Sequence, residues 1–402
     1  VVRDEFDPRP ETMSAPERIA VLQAALQERG LAGVILFYSR DVFYYTGTAQ
    51  PAWLVVRPDD YALFVHKGID FARRESILPS EHVREARSLD AVCEVMFPGP
   101  GLGEPVGSEL DLLSVRQAEA YRQALGARRL VDCSSMVLEQ RMIKSADELG
   151  LIAEACAALH AGHLAALKTI APGITELELA AAVENAHRLA GHDGLIFMRR
   201  IDFCMSRGPL ASGPNLREIS GLVFSITGRG LGPAVAAGPS RRTIEDGDFV
   251  LVDIPTCVSG YHADQARMYC LGDPPDGAAS LFERLKAVAD RLIDSLRPGM
   301  TSGQAFDLAW AEAEARGLGT SFLRFPSGVR AHFIGHGVGL EMNEPPILAR
   351  DGRETLEAGM VLALEMHVME PEGWTLKLED TVLLTETGCR VLNLSPRTLS
   401  VP

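Results

Sequence analysis

Apolar residues along the chain recur with two periods, and the switches between them mark its elements. In "APERIAVLQAALQERGLAGVILF", Ile19, Leu22, Leu26 and Leu31 fall near helical spacing, and the stretch ends in the apolar run "GVILF". That pattern predicts an amphipathic helix leading into a buried strand. "YALFVHKG" predicts a second strand. Helices and strands then alternate up to about Ser135, as in a small α/β domain. From Cys133 the stretch "CSSMVLEQRMIKSADELGLIAEACAALHAGHLAALKTI" breaks this rhythm and opens a long helix, with "SADE" as its capping box. The expected division is a domain of residues 1–134 and a second of residues 135–402.

The second part repeats itself. "APGITELELAAAVENAHRLAG" resembles "RPGMTSGQAFDLAWAEAEARG": each is Pro-Gly-x-Thr, then a helical pattern, then a glycine. Further on, "EDGDFVLVDIP" resembles "EAGMVLALEMH". Both carry Glu-x-Gly, an apolar strand run and an acid, with Asp253 six residues after Gly247 and Glu365 six after Gly359.

Composition narrows the function classes. The 402 residues are 47% hydrophobic and 23% charged, as in ordinary globular enzymes. A formal net charge of −15 and the lack of a basic cluster argue against nucleic acid. No apolar run is read as a membrane span, and the charged, proline-broken start "VVRDEFDPRPETM" is not read as a signal peptide. The 7 cysteines are scattered without CxxC spacing, which suits reduced thiols and a cytoplasmic location.

The two strand-end acids carry the chemistry. Asp is disfavoured in strands, yet "FVLVD" sets Asp253 directly after an apolar run. A turn centred on Val258–Ser259 sets Asp253 against Asp264, and one centred on Glu372 sets Glu365 against Glu379. Like charges so placed repel, and divalent metal neutralises them. His336, in the glycine-rich "HFIGHGVGLEMNEPP", is placed to supply a neutral nitrogen. Four carboxylates and one imidazole suit a pair of hard or borderline ions. Singly, each residue reads more plainly as a strand-end turn, a surface charge or a structural histidine; their order across two similar halves favours a metal site. His187, His192, His262 and His367 lack that context and read as structural or surface residues.

"DIPTCVSGYHADQAR", "HFIGHGVGLEMNEPP", "EAGMVLALEMH" and "LKLEDTVLLTETG" together resemble the creatinase/prolidase/methionine-aminopeptidase superfamily. "RIAVLQAALQERGLAGVILF" and "VFYYTGT" resemble the smaller domain of its prolidases, aminopeptidase P and creatinase. The resemblance implies an α/β (α+β) chain with a small creatinase-like domain before a pita-bread domain of pseudo-two-fold symmetry. It implies a Xaa-Pro peptidase-like hydrolase with two divalent ions (Mn, Co, Zn or Fe), a metal-bound hydroxide attacking a scissile amide, and a homodimer. The implied metal ligands are Asp253, Asp264, His336, Glu365 and Glu379, with Asp264 and Glu379 bridging and Glu365 also shuttling a proton. His332 matches a substrate-binding histidine, and Arg207 is a further candidate for the substrate's charged end. Arg267 matches an arginine common in the family and reads here as a structural salt bridge.

Two departures bear on the reaction. Seven residues after His336, where the family's peptidases carry histidine, stands Asn343. The loop ahead of the first metal strand, near Ala236, has none either: no histidine lies between His192 and His262. Asn343 can donate a hydrogen bond but cannot shuttle a proton near neutral pH. Three functions are therefore weighed. The first is a hydrolase close to Xaa-Pro dipeptidase or aminopeptidase P, acting on short peptides. The second is a non-peptidase member acting on a small metabolite, by creatinase-like C–N hydrolysis or dimethylsulfoniopropionate-type elimination. The third is a binding module, disfavoured because such proteins usually lose metal ligands and all five are present here.

Overall fold

The computed structural model describes residues 14–201, 205, 208–221 and 225–402. They form two compact units. One runs to Arg141 and takes in Arg199–Ile201; the other comprises Met142–Met198 and the remaining residues to Pro402.

The first unit is built on a mixed six-stranded sheet. Its order is Val83–Glu85, Tyr61–Val65, Ala52–Val56, Gly33–Leu36, Pro105–Ser108 and Arg129–Asp132. The central strand Gly33–Leu36 is buried throughout, as its unbroken apolar run requires. The helix Ala15–Glu28 precedes it, held at its start by a reciprocal Ser14–Glu17 capping box, and turns Ile19, Leu22 and Leu26 inward. Arg199 is fastened in this unit by ion pairs to Asp41 at 2.6 Å and Asp111 at 2.5 Å.

The second unit holds an eight-stranded antiparallel sheet. Along it run Glu344–Ala349, Phe333–Gly337, Val361–Met369, Thr375–Leu384, Gln265–Cys270, Phe249–Val252 and Leu210–Ser212, with Cys389–Val391 also pairing Thr375–Leu384. The helices Asp276–Ser295 and Ser302–Ala315 pack on this sheet through Phe282, Leu285, Phe306 and Ala309.

The repeat read from the sequence is a repeat of backbone geometry. Thr175 and Thr301 each cap a 14-residue helix in a capping box, with Glu178 and Gln304 at the third position. Gly173 and Gly299 take φ of 92° and 90°, a left-handed conformation that favours glycine. The Gly173 amide donates to the Ile244 carbonyl at 3.0 Å, and the Gly299 amide donates to that of Leu356 at 2.8 Å. Each half thus ties its helix start to the segment leading into its own acid-bearing strand.

The helix Ala146–Thr169 is long and apolar enough, by length and composition alone, to cross a membrane. Half of its most apolar window is buried. Leu149, Ile152, Cys156, Leu159 and Ala166 face inward, so the apolar length reflects a core helix packed on more than one side.

Candidate metal centre

Strand pairing assembles the candidate ligands. Val361–Met369 and Thr375–Leu384 form a hairpin in which Glu365 stands directly opposite Glu379. His336 lies on the next strand outward, paired with Ala363. On the other side, Ala266 pairs with Glu379, which brings Asp264, just before that strand, toward the same place. Asp253 follows the strand Phe249–Val252.

The Asp253–Asp264 register differs from the one expected. The turn is Ser259–Gly260, one residue later than the sequence pattern suggested, with φ of 49° at Ser259 and 85° at Gly260. Two successive left-handed residues are the signature of a tight type I′ hairpin. The partner of Val252 is consequently Arg267. Asp253 and Asp264 are displaced by two residues instead of directly opposed, which keeps both on one face.

Five residues converge in two overlapping groups. Asp264, His336 and Glu379 offer ligand atoms within 4.8 Å of one another, and so do Asp253, Glu365 and Glu379. Glu379 belongs to both. His336 turns Nδ1 toward the Gly337 carbonyl at 3.1 Å, leaving Nε2 for another partner. Thr381 locks Asp264 in place, accepting its amide at 2.9 Å and donating to its carbonyl at 2.7 Å. Behind this layer Arg267 donates to the Glu379 carbonyl at 2.6 Å and pairs with Asp380 at 2.7 Å, the structural salt bridge read for it. Arg397 holds the second Asp380 oxygen at 2.6 Å. Gly208 passes so close to the Asp253 carbonyl that a Cβ there would overlap it.

Sequence reasoning missed Lys377. Its side chain is 1% exposed, and Nζ lies 2.6 Å from Asp253 Oδ2, 2.6 Å from Glu365 Oε2 and 3.0 Å from Glu379 Oε2. Ser225 Oγ accepts from the same ammonium at 2.9 Å. The available signal was period-two spacing: Lys377 stands two residues before Glu379 in a strand buried along its whole length, so both point to one face.

The electrostatics ask for cations. Four carboxylates face one ammonium, leaving three formal negative charges buried together. Burial, and then the charge of Asp264, push Glu379 well above the carboxylate range. Burial, and then Asp253, do the same to Asp264. Burial also raises Glu365, but Lys377 outweighs it and holds Glu365 low. Burial alone would pull Lys377 down; Asp253, Glu365 and Glu379 together hold it well above the ordinary lysine range. Burial lowers His336, which keeps the imidazole neutral and able to ligate. Both Glu379 oxygens lack a hydrogen-bond partner; the Lys377 contact at 3.0 Å is an ion pair without hydrogen-bond alignment. An orphaned buried carboxylate inside an oxygen-rich donor set fits a divalent ion.

The other expected residues are less central. His332 is exposed, four residues before His336, and its ring stands edge-on to Phe333. Asn343 is half-buried in the bend leading to the strand Glu344–Ala349. Arg207 lies outside the described residues. Ala236 is exposed in its loop. The ring of His262 binds the Gly339 carbonyl at 2.9 Å and accepts the Phe197 amide at 3.0 Å. His367 binds the Arg324 carbonyl at 3.0 Å. Both rings are buried and bound to backbone groups.

Comparison with known proteins places this geometry. The model described as "Metallopeptidase family M24" matches residues 150–386, and that described as "Creatinase/Prolidase N-terminal domain" matches residues 18–143. The Xaa-Pro dipeptidase of Pyrococcus furiosus is 26% identical over 386 residues, spanning 95% of this chain and 99% of that protein. The probable dipeptidase PepE of Mycobacterium tuberculosis is 25% identical over 393 residues, 96% of each chain. Among solved structures, the Xaa-Pro dipeptidase from Bacillus anthracis aligns with a TM-score of 0.80 at 24% identity, covering 97% of this chain and 100% of that one. Dipeptidase PepE from Mycobacterium ulcerans aligns with a TM-score of 0.78 at 26% identity, covering 98% and 99%.

A small α/β domain ahead of a duplicated domain, whose sheet gathers acids and an imidazole, defines the metal-dependent hydrolases of the creatinase/prolidase, or pita-bread, superfamily. Within it, this chain belongs to metallopeptidase family M24.

Proposed function

We propose that the protein hydrolyses short peptides at the amide before proline, as a Xaa-Pro dipeptidase does, with Asp253, Asp264, His336, Glu365 and Glu379 holding two divalent ions. The observation that carries this reading is the convergence of the five side chains on one sheet face, with both oxygens of Glu379 left without hydrogen bonds. The names of the relatives support the substrate class. Manganese, cobalt, zinc and iron all suit the donor set. A homodimer is part of the proposal on the family resemblance, and a cytoplasmic location on the scattered cysteines.

Bound divalent ions lower the pKa of water and polarise a carbonyl. The chain supplies the rest. Glu365 is the most accessible of the four carboxylates, at 13% side-chain exposure, and is held ionised by Lys377. It is the group placed to accept a proton from water and return one to the leaving amine. Asn343 donates a hydrogen bond to a substrate oxygen, and exposed His332, with Arg207, meets the substrate's charged end.

A second reading draws on Asn343 and on the absence of histidine between His192 and His262. With no imidazole there to transfer a proton, the site also suits a small non-peptide metabolite, cleaved by C–N hydrolysis or by elimination. The deciding experiment is hydrolysis of Ala-Pro, Leu-Pro and Ala-Pro-Ala by metal-free protein reloaded with manganese, cobalt, zinc or iron. The expected result is cleavage at the amide before proline, read as release of the preceding residue, that Glu365→Gln abolishes. Full metal loading without cleavage of any of the three peptides overturns the peptidase reading in favour of the metabolite one.

A further inference from the structure

Behind the segments that carry Asp253 and Asp264 lies a small polar cavity that the proposed reaction does not use. Val252, Ile254, His163, His187, Gln265 and Tyr269 line it, and its volume of about 10 Å3 suits one water molecule. Two buried acceptors there have no hydrogen-bond partner: His187 Nδ1 and Gln265 Oε1, on residues 2% and 6% exposed. The His187 ring bonds the Leu159 carbonyl, and with Nδ1 unpartnered that bond runs through Nε2. Nε2 therefore carries the proton and Nδ1 can only accept. Gly162 admits the ring, since a Cβ there would overlap Nε2. The cavity's other polar groups are spent on each other: His163 Nδ1 and the Tyr269 hydroxyl lie 2.7 Å apart. Two unpartnered acceptors on one small space call for a guest with two donors. Burial, and then the Arg267 guanidinium, lower His163 to about 4, so the space favours a neutral guest over a cation.

We infer that one water molecule is a built-in part of this site, donating to His187 Nδ1 and to Gln265 Oε1, and that through it these two residues position Asp264, on the reading of Asp264 as a metal ligand. Gln265 directly follows Asp264, so the two side chains leave opposite faces of the chain. The Gln265 amide donates to Asp264 Oδ1 at 2.9 Å. Fixing the Gln265 side chain from behind therefore fixes the amide that aims the carboxylate in front. The water joins the helix Glu176–Leu189, which carries His187, to the start of the strand Gln265–Cys270. His187 and Ile254 also line a wider cleft of about 490 Å3, the water's route to solvent.

The test is the crystal structure of the metal-free full-length chain, as wild type and as three variants. His187→Gln removes the Nδ1 acceptor while its amide still reaches the Leu159 carbonyl, and Gln265→Leu removes the other acceptor. His187→Asn keeps an acceptor where Nδ1 stands. The wild type is expected to show a water within about 3.2 Å of both atoms, with Asp264 Oδ1 bonded to the Gln265 amide. His187→Gln and Gln265→Leu are each expected to lose the water, to turn the Asp264 carboxylate away from that amide, and to bind Mn2+ about tenfold more weakly by calorimetry. His187→Asn is expected to keep the water and the wild-type affinity. A wild type without the water, or with the Gln265 amide bonded directly to His187, overturns the inference whether or not the variants fold. Loss of the water that leaves the Asp264 carboxylate in place overturns the positioning role. A wild type that takes up no Mn2+ strikes the ligand assignment alone, because the crystal structures decide the water and the carboxylate without metal.

Discussion

Glu365 and Glu379 stand directly opposite each other on neighbouring strands, and the Lys377 ammonium contacts both, at 2.6 Å and 3.0 Å. Two acids facing across a ladder repel when both are charged, and the ammonium between them offsets that repulsion. Glu379 carries the larger burden, being 1% exposed with both oxygens outside any hydrogen bond.

Glu379→Gln should therefore act in opposite directions with and without metal. In metal-free protein it replaces a carboxyl that burial and Asp264 make costly to ionise with a neutral amide of the same shape, and the melting temperature should rise by a few degrees, about 1 kcal/mol or more. In the presence of Mn2+ or Co2+ the variant should fall below the wild type, because a residue common to both ligand groups is lost. Paired thermal melts with and without metal check this.

Restoring an imidazole at the position seven residues after His336 should raise peptide turnover. Asn343→His is expected to increase kcat on Ala-Pro roughly a hundredfold, the lower end of the range of a positioned proton-transfer group. The gain should vanish below about pH 6, where the new histidine is protonated. A pH–rate profile of both proteins makes the comparison.

Acid sensitivity should come from buried neutral histidines. Burial lowers His163 and His367 to about 4 and His187 to about 3. Their folded values lie below the unfolded value of about 6.5, so the unfolded chain binds more protons as pH falls. The stability they contribute is complete above about pH 6.5 and is lost as pH drops toward 4. The urea midpoint of the metal-free protein should fall between pH 7 and pH 5. His163→Gln and His187→Gln should each flatten that fall.

Arg267→Met should cost about 3–5 kcal/mol, because it strips one partner from a buried ion pair and leaves half of Asp380 uncompensated. It also removes the donor to the Glu379 carbonyl, so metal affinity should drop with stability. Denaturant titration and metal calorimetry on one variant read both effects.

Much of the centre was legible along the chain because its determinants are local. The capping boxes at Ser145, Thr175 and Thr301 each lie within four residues. The opposition of Glu365 to Glu379 follows from counting outward from one hairpin turn. The same counting missed by two residues at Asp253 and Asp264, because two neighbouring residues compete for the turn and only backbone φ decides between them. Arg207, proposed for substrate binding, lies outside the described residues.

The amino-acid sequence by itself determined the duplicated halves, the acid at the end of each buried strand and the five candidate ligands, since period, caps and turns act over a few residues. Only the tertiary structure decided which charges share space. Lys377 meets Asp253 across 124 residues and Ser225 across 152, and Arg267 meets Asp380 across 113. No local pattern encodes such a meeting. It is set by the order in which strands pair, and the low dielectric of the closed sheet then strengthens the interactions among these distant side chains.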